Sequence, residues 1–198
     1  MTVSIYSQLD TPALLIDMDL VRANISEMQA KADKYAVSLR PHTKTHKMPE
    51  LAKLQVAAGA TGITVAKVGE AEVMAAAGLT DIFIANQIIG VGKLERIRTL
   101  ARQITIRLGV DNPVQVDQLE TVFQAEPKPV EVLIEIETGE NRSGVIQEAQ
   151  LIQLVKHIQA QTKVVLKGVF SHEGHTYKAK NSEDCRRLCL ESQNRTLW

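Results

Sequence analysis

An excess of charge of either sign is missing from this chain of 198 residues, in which 23 Lys and Arg balance 23 Asp and Glu. That balance removes the electrostatic case for a nucleic acid or an anionic membrane as partner. Cysteine is scarce too. Cys185 and Cys189 are the two present, and at a spacing of four they would share one helix face, with no other candidate ligand nearby for a metal. Two thiols so placed suit a reducing, cytoplasmic setting rather than a disulfide framework. No apolar stretch approaches the ~18 residues that would span a bilayer. The start, Met1-Thr-Val-Ser-Ile-Tyr6, lacks the basic segment and apolar run of a secretory signal. No low-complexity segment or Pro/Gly/Ser-rich linker divides the chain.

What is present is an alternation. A short apolar strand over 13–16 precedes a helix that Asp17 or Asp19 can cap, with Val21, Ile25, Met28, Ala32 and Tyr35 at spacings that make one buried face. Strands are then expected to start near 38, 62, 81, 104, 130 and 164. Helices follow over 49–58, 69–77, 91–102, 113–123 and 147–159, the last with Leu151, Ile152, Val155 and Ile158 inward, and again from Ser182. Strands alternating with helices imply βα units and a parallel sheet, either doubly wound or a barrel. No Gly-x-Gly-x-x-Gly follows the first strand, which weakens the dinucleotide-binding form of the open sheet. A barrel of eight strands needs ~250 residues, so this chain holds about six βα units of one. Chemistry in either architecture sits at the carboxyl ends of the strands. There lie Lys44, Lys67, Asn86, Gln87, Asp111, the loop 137–142 and the segment 172–177, with Gly90 shaping a turn.

The densest group is Arg40, His42, Lys44, His46 and Lys47, within eight positions. If 38–43 is a strand, Arg40, His42 and Lys44 share a polar interior face while Leu39, Pro41 and Thr43 face helices. A partly desolvated Lys there would be a nucleophile toward an aldehyde. A solvated basic loop is the plainer alternative. In 132–137, Leu133, Glu135 and Glu137 share the interior face, where Arg40, Lys44 and Arg142 could neutralise the two carboxylates. Gly139-x-x-Arg142-x-Gly144 reads either as a functional loop or as a glycine-bounded turn with an exposed Arg. His172, His175 and Tyr177 cluster at the last strand end, where a lone His would more often be structural. His157, mid-helix, is given no role.

Arg40-Pro-His-Thr-Lys-Thr-His-Lys47, with Thr11-Pro-Ala-Leu-Leu-Ile-Asp17 before it, resembles the D-threonine aldolase and D-serine dehydratase group. These are pyridoxal-phosphate (PLP) enzymes of the alanine-racemase fold type, built on a (β/α)8 barrel. The resemblance implies that Lys44, ahead of Lys47, carries PLP as a Schiff base, and that His42, Arg142, His172 and Tyr177 contact the cofactor. Lys44 and His172 would be catalytic, and Glu135 could supply a carboxylate beside Arg142. It further implies a lyase acting on a β-hydroxy D-amino acid, by retro-aldol cleavage to glycine and an aldehyde. The alternatives are a D-serine dehydratase, an amino-acid racemase, or a PLP-binding protein without turnover. A racemase is disfavoured because Lys44-Thr-His-Lys47 differs from the usual Lys-Ala-Asn-Ala-Tyr-Gly. Residues 1–17 would belong with a missing C-terminal β-domain and 18–198 would form a partial barrel. The full-length enzyme would be a homodimer using a divalent metal whose ligands lie outside this chain. The resemblance is expected to end near Asp184, as in a fragment cut or frame-shifted there.

Overall fold

The structure is a computed structural model and describes residues 5–197; residues 1–4 of the expected N-terminal segment, and Trp198, lie outside them. Five strands, β1 (Ile63–Val65), β2 (Asp81–Gln87), β3 (Thr105–Val110), β4 (Val130–Ile136) and β5 (Val164–Ser171), form one parallel sheet. Their order in space is their order in sequence. Each strand therefore adds on the same side of its predecessor, as in a barrel wall, whereas a doubly wound sheet reverses at a switch point. The connections are α3 (Val68–Ala76), α4 (Val91–Ala101), α5 (Pro113–Phe123) and α6 (Glu148–Gln159), preceded by α1 (Met18–Lys34) and α2 (Pro49–Ala57) and followed by α7 (Ser182–Thr196).

Local chemistry starts and stops these helices. Asp17 caps α1 by accepting from the N–H groups of Asp19 and Leu20 at 3.0 and 3.1 Å. Asn112 and Gln115 make a reciprocal capping box on α5 with Pro113 in its first turn, and Gly90, at φ 105°, turns the chain into α4. The core lies between sheet and helices: Ile82 and Ile84 of β2, Ile106, Leu108 and Val110 of β3 and alternate residues Val130 to Ile136 of β4 pack against Leu94, Ile97, Leu119, Phe123, Leu154 and Ile158. Each fully buried aliphatic side chain of this kind stabilises by about 1.5–3 kcal/mol. The other face of the sheet is concave and carries Thr64, Phe83, Arg107, Glu131, Leu133, Glu135 and Phe170, in the parity expected for 132–137. Among the described residues no helix is long and apolar enough to cross a membrane.

Four expectations are corrected. The strand over 38–43 is reduced to a single bridge, His42 to Thr64. Pro41 has no N–H, so the segment mainly accepts, Leu39 from Thr61 and Pro41 from Thr64, and a full ladder cannot form. Among the described residues, 13–16 pair with no strand, and Leu14, Leu15 and Ile16 are exposed. The stripe on α1 is buried only at Ala32, with Gln29 beside it, while Met28 and Tyr35 are exposed, because α1 rests on little besides α2. On α6 the inward face is Leu151, Leu154, Val155 and Ile158; Ile152 points out. His157, on the same helix, pairs with Asp117 of α5 at 2.6 Å.

Candidate active site

The segment 42–48 is built as a rigid turn. Thr43 is buried and its hydroxyl donates to the Thr64 carbonyl at 3.2 Å, pinning the turn to β1. His42 Nδ1 accepts the Lys44 backbone N–H at 3.2 Å, and His46 Nδ1 accepts that of Met48 at 3.0 Å. Burial, then the positive charge of Lys44, push the His42 imidazole below its usual value, with His172 adding to the effect against Glu70. His42 is therefore held neutral. Lys44 itself is exposed, not partly desolvated as expected, because it sits in the three-residue turn Thr43–Thr45 beyond the sheet edge.

The two lysines differ in what holds them. Lys47, forced to φ 54°, places its amine 3.2 Å from Glu70 Oε1, and the other oxygen of Glu70 accepts the Ala66 N–H at 2.8 Å. Although burial works against it, that N–H and the Lys47 amine keep the Glu70 carboxyl below the usual range. The Lys47 amine is thus engaged in an ion pair. Among the described residues no hydrogen bond or ion pair engages the Lys44 amine.

Past β4 the chain reverses through three left-handed positions, Gly139, Asn141 and Gly144. Glu137, buried, accepts the N–H groups of Gly139 and Asn141 at 2.7 and 2.6 Å. Against the cost of burial, the N–H groups of Asn141 and Gly139 hold its carboxyl below the usual range. Asp111 braces the loop from β3 by accepting the Gly144 N–H at 3.1 Å. Glu135 is buried and accepts from the Gln87 amide and, at 3.0 Å, from the Ser143 hydroxyl, with Arg142 Nη2 at 3.7 Å. Neither Arg40 nor Lys44 serves these carboxylates. Arg40 lies at the opposite end of the sheet, 2.8 Å from Asp81, in a cluster continued by Arg107 at 2.7 Å from both Asp81 and Glu131.

Past β5, His172 Nδ1 lies 2.9 Å from Glu140 Oε2, whose carboxylate also faces Arg142 Nη1 at 3.4 Å. The Tyr177 ring meets His172 edge-on with centroids 6.4 Å apart, and Tyr177 is 86% exposed. Arg142, His172 and Tyr177 are therefore brought together at one rim, and an electrostatic interaction links that rim to His42, two residues from Lys44. His175 turns away, packing on Gly139 and approaching the Ser192 hydroxyl at 3.3 Å. Of the rim groups, Asn86 donates to the Ala66 carbonyl at 2.9 Å and Gln87 orients Glu135, while Lys67 is an exposed helix cap. Sequence reasoning named the loop that holds Glu140 but gave that residue no role; its one signal was a carboxylate in a glycine-bounded loop ahead of an Arg. Among the described residues no three His, Cys, Asp or Glu side chains are grouped to hold a metal ion.

The family model for the alanine racemase N-terminal domain matches residues 16–193. The chain belongs to that family. The matched span continues past Asp184, where the resemblance was expected to end. A D-threonine aldolase of Arthrobacter sp. is 35% identical over 186 residues, which is 94% of this chain and 49% of the relative. The D-threo-3-hydroxyaspartate dehydratase of Delftia sp. (strain HT23) is also 35% identical, over 91% of this chain and 48% of its own length. The crystal structure of D-threonine aldolase from Filomicrobium marinum superposes with a TM-score of 0.91 at 34% identity, covering 95% of this chain and 51% of that one. The chain spans about half the length of the curated relatives it matches.

Proposed function

We propose that this chain is the cofactor-binding part of a PLP-dependent lyase for β-hydroxy D-amino acids, cleaving them in the aldolase manner to glycine and an aldehyde. The observation that carries the reading is the contrast between the two lysines, one amine tied to Glu70 and the other, Lys44, without a partner among the described residues, while His42 beside it interacts electrostatically with His172 of the Arg142 rim. The donor set fits the cofactor: a primary amine for its aldehyde, a guanidinium for its phenolate oxygen, and imidazole and phenol rings to flank an aromatic ring. When bound, PLP supplies an electron sink for charge that develops at the substrate's α-carbon.

The chain's own groups have distinct tasks. Lys44 would hold the cofactor through its primary amine. Arg142, steadied by Glu135 and Glu140 at 3.7 and 3.4 Å, is a fixed positive charge that keeps an adjacent oxygen anionic. His172 and Tyr177 offer an imidazole and a phenol edge-on to each other at the open side of the rim. His42, neutral, lowers the positive charge around the Lys44 amine.

The same reading includes a divalent metal held by residues outside this chain, which would activate the substrate hydroxyl, a homodimeric assembly and a cytoplasmic location, the last in keeping with Cys185 and Cys189 being free thiols. Water loss is the second reading, because the aldolase and the dehydratase relatives are equally similar, at 35% each. Incubation of the protein with PLP and D-threonine, D-serine or D-alanine, with and without divalent metal, separates the activities. Glycine plus aldehyde is the expected product; pyruvate from D-serine favours the dehydratase, and L-alanine from D-alanine the racemase. Bound PLP with no product would indicate a carrier. Absence of a pyridoxyl mass on the Lys44 peptide after borohydride reduction would sink the reading.

A further inference from the structure

One atom is contested at the rim. Nδ1 of His172 faces the Glu140 carboxylate at 2.9 Å and also the backbone N–H of Gly174 at 3.1 Å. An imidazole nitrogen in the ring plane either carries a proton and donates, or carries a lone pair and accepts, so it cannot satisfy both. The balance favours Glu140. A hydrogen bond to a carboxylate is roughly twice as strong as a neutral one, and a bare lone pair this close to a carboxylate would be repelled. Glu140 is also held over the atom, since a side chain at Gly174 would strike its carboxylate. On its other side the carboxylate meets the Arg142 guanidinium at 3.4 Å, and Arg142 is in turn 3.7 Å from the buried Glu135.

We infer that Glu140 is a positioning residue: its carboxylate keeps the proton of neutral His172 on Nδ1, leaves Nε2 as the accepting nitrogen, and restrains Arg142 beside it. Among the described residues no hydrogen bond reaches Nε2 of His172, so that lone pair stays available at the rim. A second-sphere carboxylate fixing a histidine tautomer through the other ring nitrogen is a general device. Its use here is to leave Nε2 in its basic form at the rim where Arg142 and Tyr177 lie. The functional meaning rests on the proposed cofactor site, whereas the tautomer does not.

Long-range proton–nitrogen spectra of the cofactor-free chain, recorded where the imidazoles are neutral and assigned with a His172→Gln variant, test this directly. Wild-type His172 should carry its proton on Nδ1. Glu140→Ala should move the proton to Nε2 and shift the Gly174 amide proton downfield as its N–H donates to the freed Nδ1. Glu140→Gln, whose amide oxygen can still accept, should restore the wild-type pattern. An Nε2-protonated ring in the wild type, or an Nδ1-protonated ring unmoved by Glu140→Ala, overturns the inference. Loading with PLP adds a separate readout: the borohydride label on Lys44 should persist in Glu140→Ala while the visible absorption maximum shifts. A wild type that takes no label would remove the cofactor reading and leave the tautomer result to decide this one.

Discussion

Phe170 stands edge-on to Phe83, with 5.0 Å between ring centroids and 85° between planes, and Gly109 is what admits it. A Cβ at position 109 would lie 2.8 Å from Phe170 Cζ and 3.3 Å from the Asn86 backbone nitrogen. The two rings fill the middle of the concave face, between the ionic cluster of Arg40, Asp81, Arg107 and Glu131 and the titratable rim. Gly109→Ala should therefore destabilise the fold by about 1 kcal/mol, the low end for overpacking, because half-buried Phe170 can give way. Urea midpoints of Gly109→Ala and of the double variant with Phe170→Leu check it. The second substitution should recover part of the loss, and equal loss in both would mean that the ring is not what the methyl strikes.

Asp81 is the shared anion of two arginines, Arg40 at 2.8 Å and Arg107 at 2.7 Å. Asp81→Asn keeps the shape and leaves two guanidiniums facing a neutral amide. Removing one partner of a fully buried pair costs about 3–5 kcal/mol. Here the side chains are between a fifth and a third exposed, so solvent screening cuts the expected loss to about 1–2 kcal/mol. The measurement is again the urea midpoint, now at low and high salt, and the difference from wild type should shrink as salt rises. A difference that is independent of salt would point to packing, not charge.

Long-period features were legible in the sequence and pairings were not. Five of the seven expected strands and the helices between them follow from apolar runs and capping residues, such as Asn112 with Gln115, which are local signals. The inward turn of Glu135 followed from parity alone. The strand over 38–43 failed because Pro41 withholds a donor that composition had outweighed. Arg40 was assigned to the right face but to the wrong end, since its partner Asp81 is 41 residues away and only the three-dimensional register brings them together. Glu140 went without a role for the same reason. Its importance lies in two contacts, His172 and Arg142, of which one is 32 residues off. On α1 a regular apolar spacing was read as burial, although periodicity says which residues share a face and not whether anything covers it.

Acid should open the loop that carries Arg142. Glu137 has its carboxyl lowered in the folded chain, burial notwithstanding, by the N–H groups of Asn141 and Gly139. A group with a depressed folded value adds stability that is complete above the ordinary carboxylate range and is lost as pH falls through the folded value. Hydrogen exchange at the Gly139 and Asn141 amides should thus stay protected at neutral pH and lose protection, beyond the intrinsic rate change, under acid conditions. Glu137→Gln should show the loosened loop already at neutral pH, because a neutral acceptor binds the two N–H groups less strongly. Protection in the wild type that is flat through the acid range would contradict this account.

The two lysines should separate cleanly in a cofactor-trapping experiment. Lys47 is held by Glu70 at 3.2 Å, so its amine must leave an ion pair before it can attack an aldehyde, whereas the Lys44 amine has no partner among the described residues. Lys44→Ala should abolish the visible absorbance of lysine-bound PLP and the pyridoxyl mass after borohydride. Lys47→Ala should keep both, and should cost at most about 1 kcal/mol of stability, because this pair is well exposed on the lysine side. Glu70→Gln tests the reasoning behind the assignment, since freeing Lys47 from its carboxylate should permit minor labelling at Lys47 without displacing the label from Lys44. If the label instead follows Lys47 in all three variants, an unpaired amine is not what selects the attachment site, and the turn Thr43–Thr45 must present Lys44 for some other purpose.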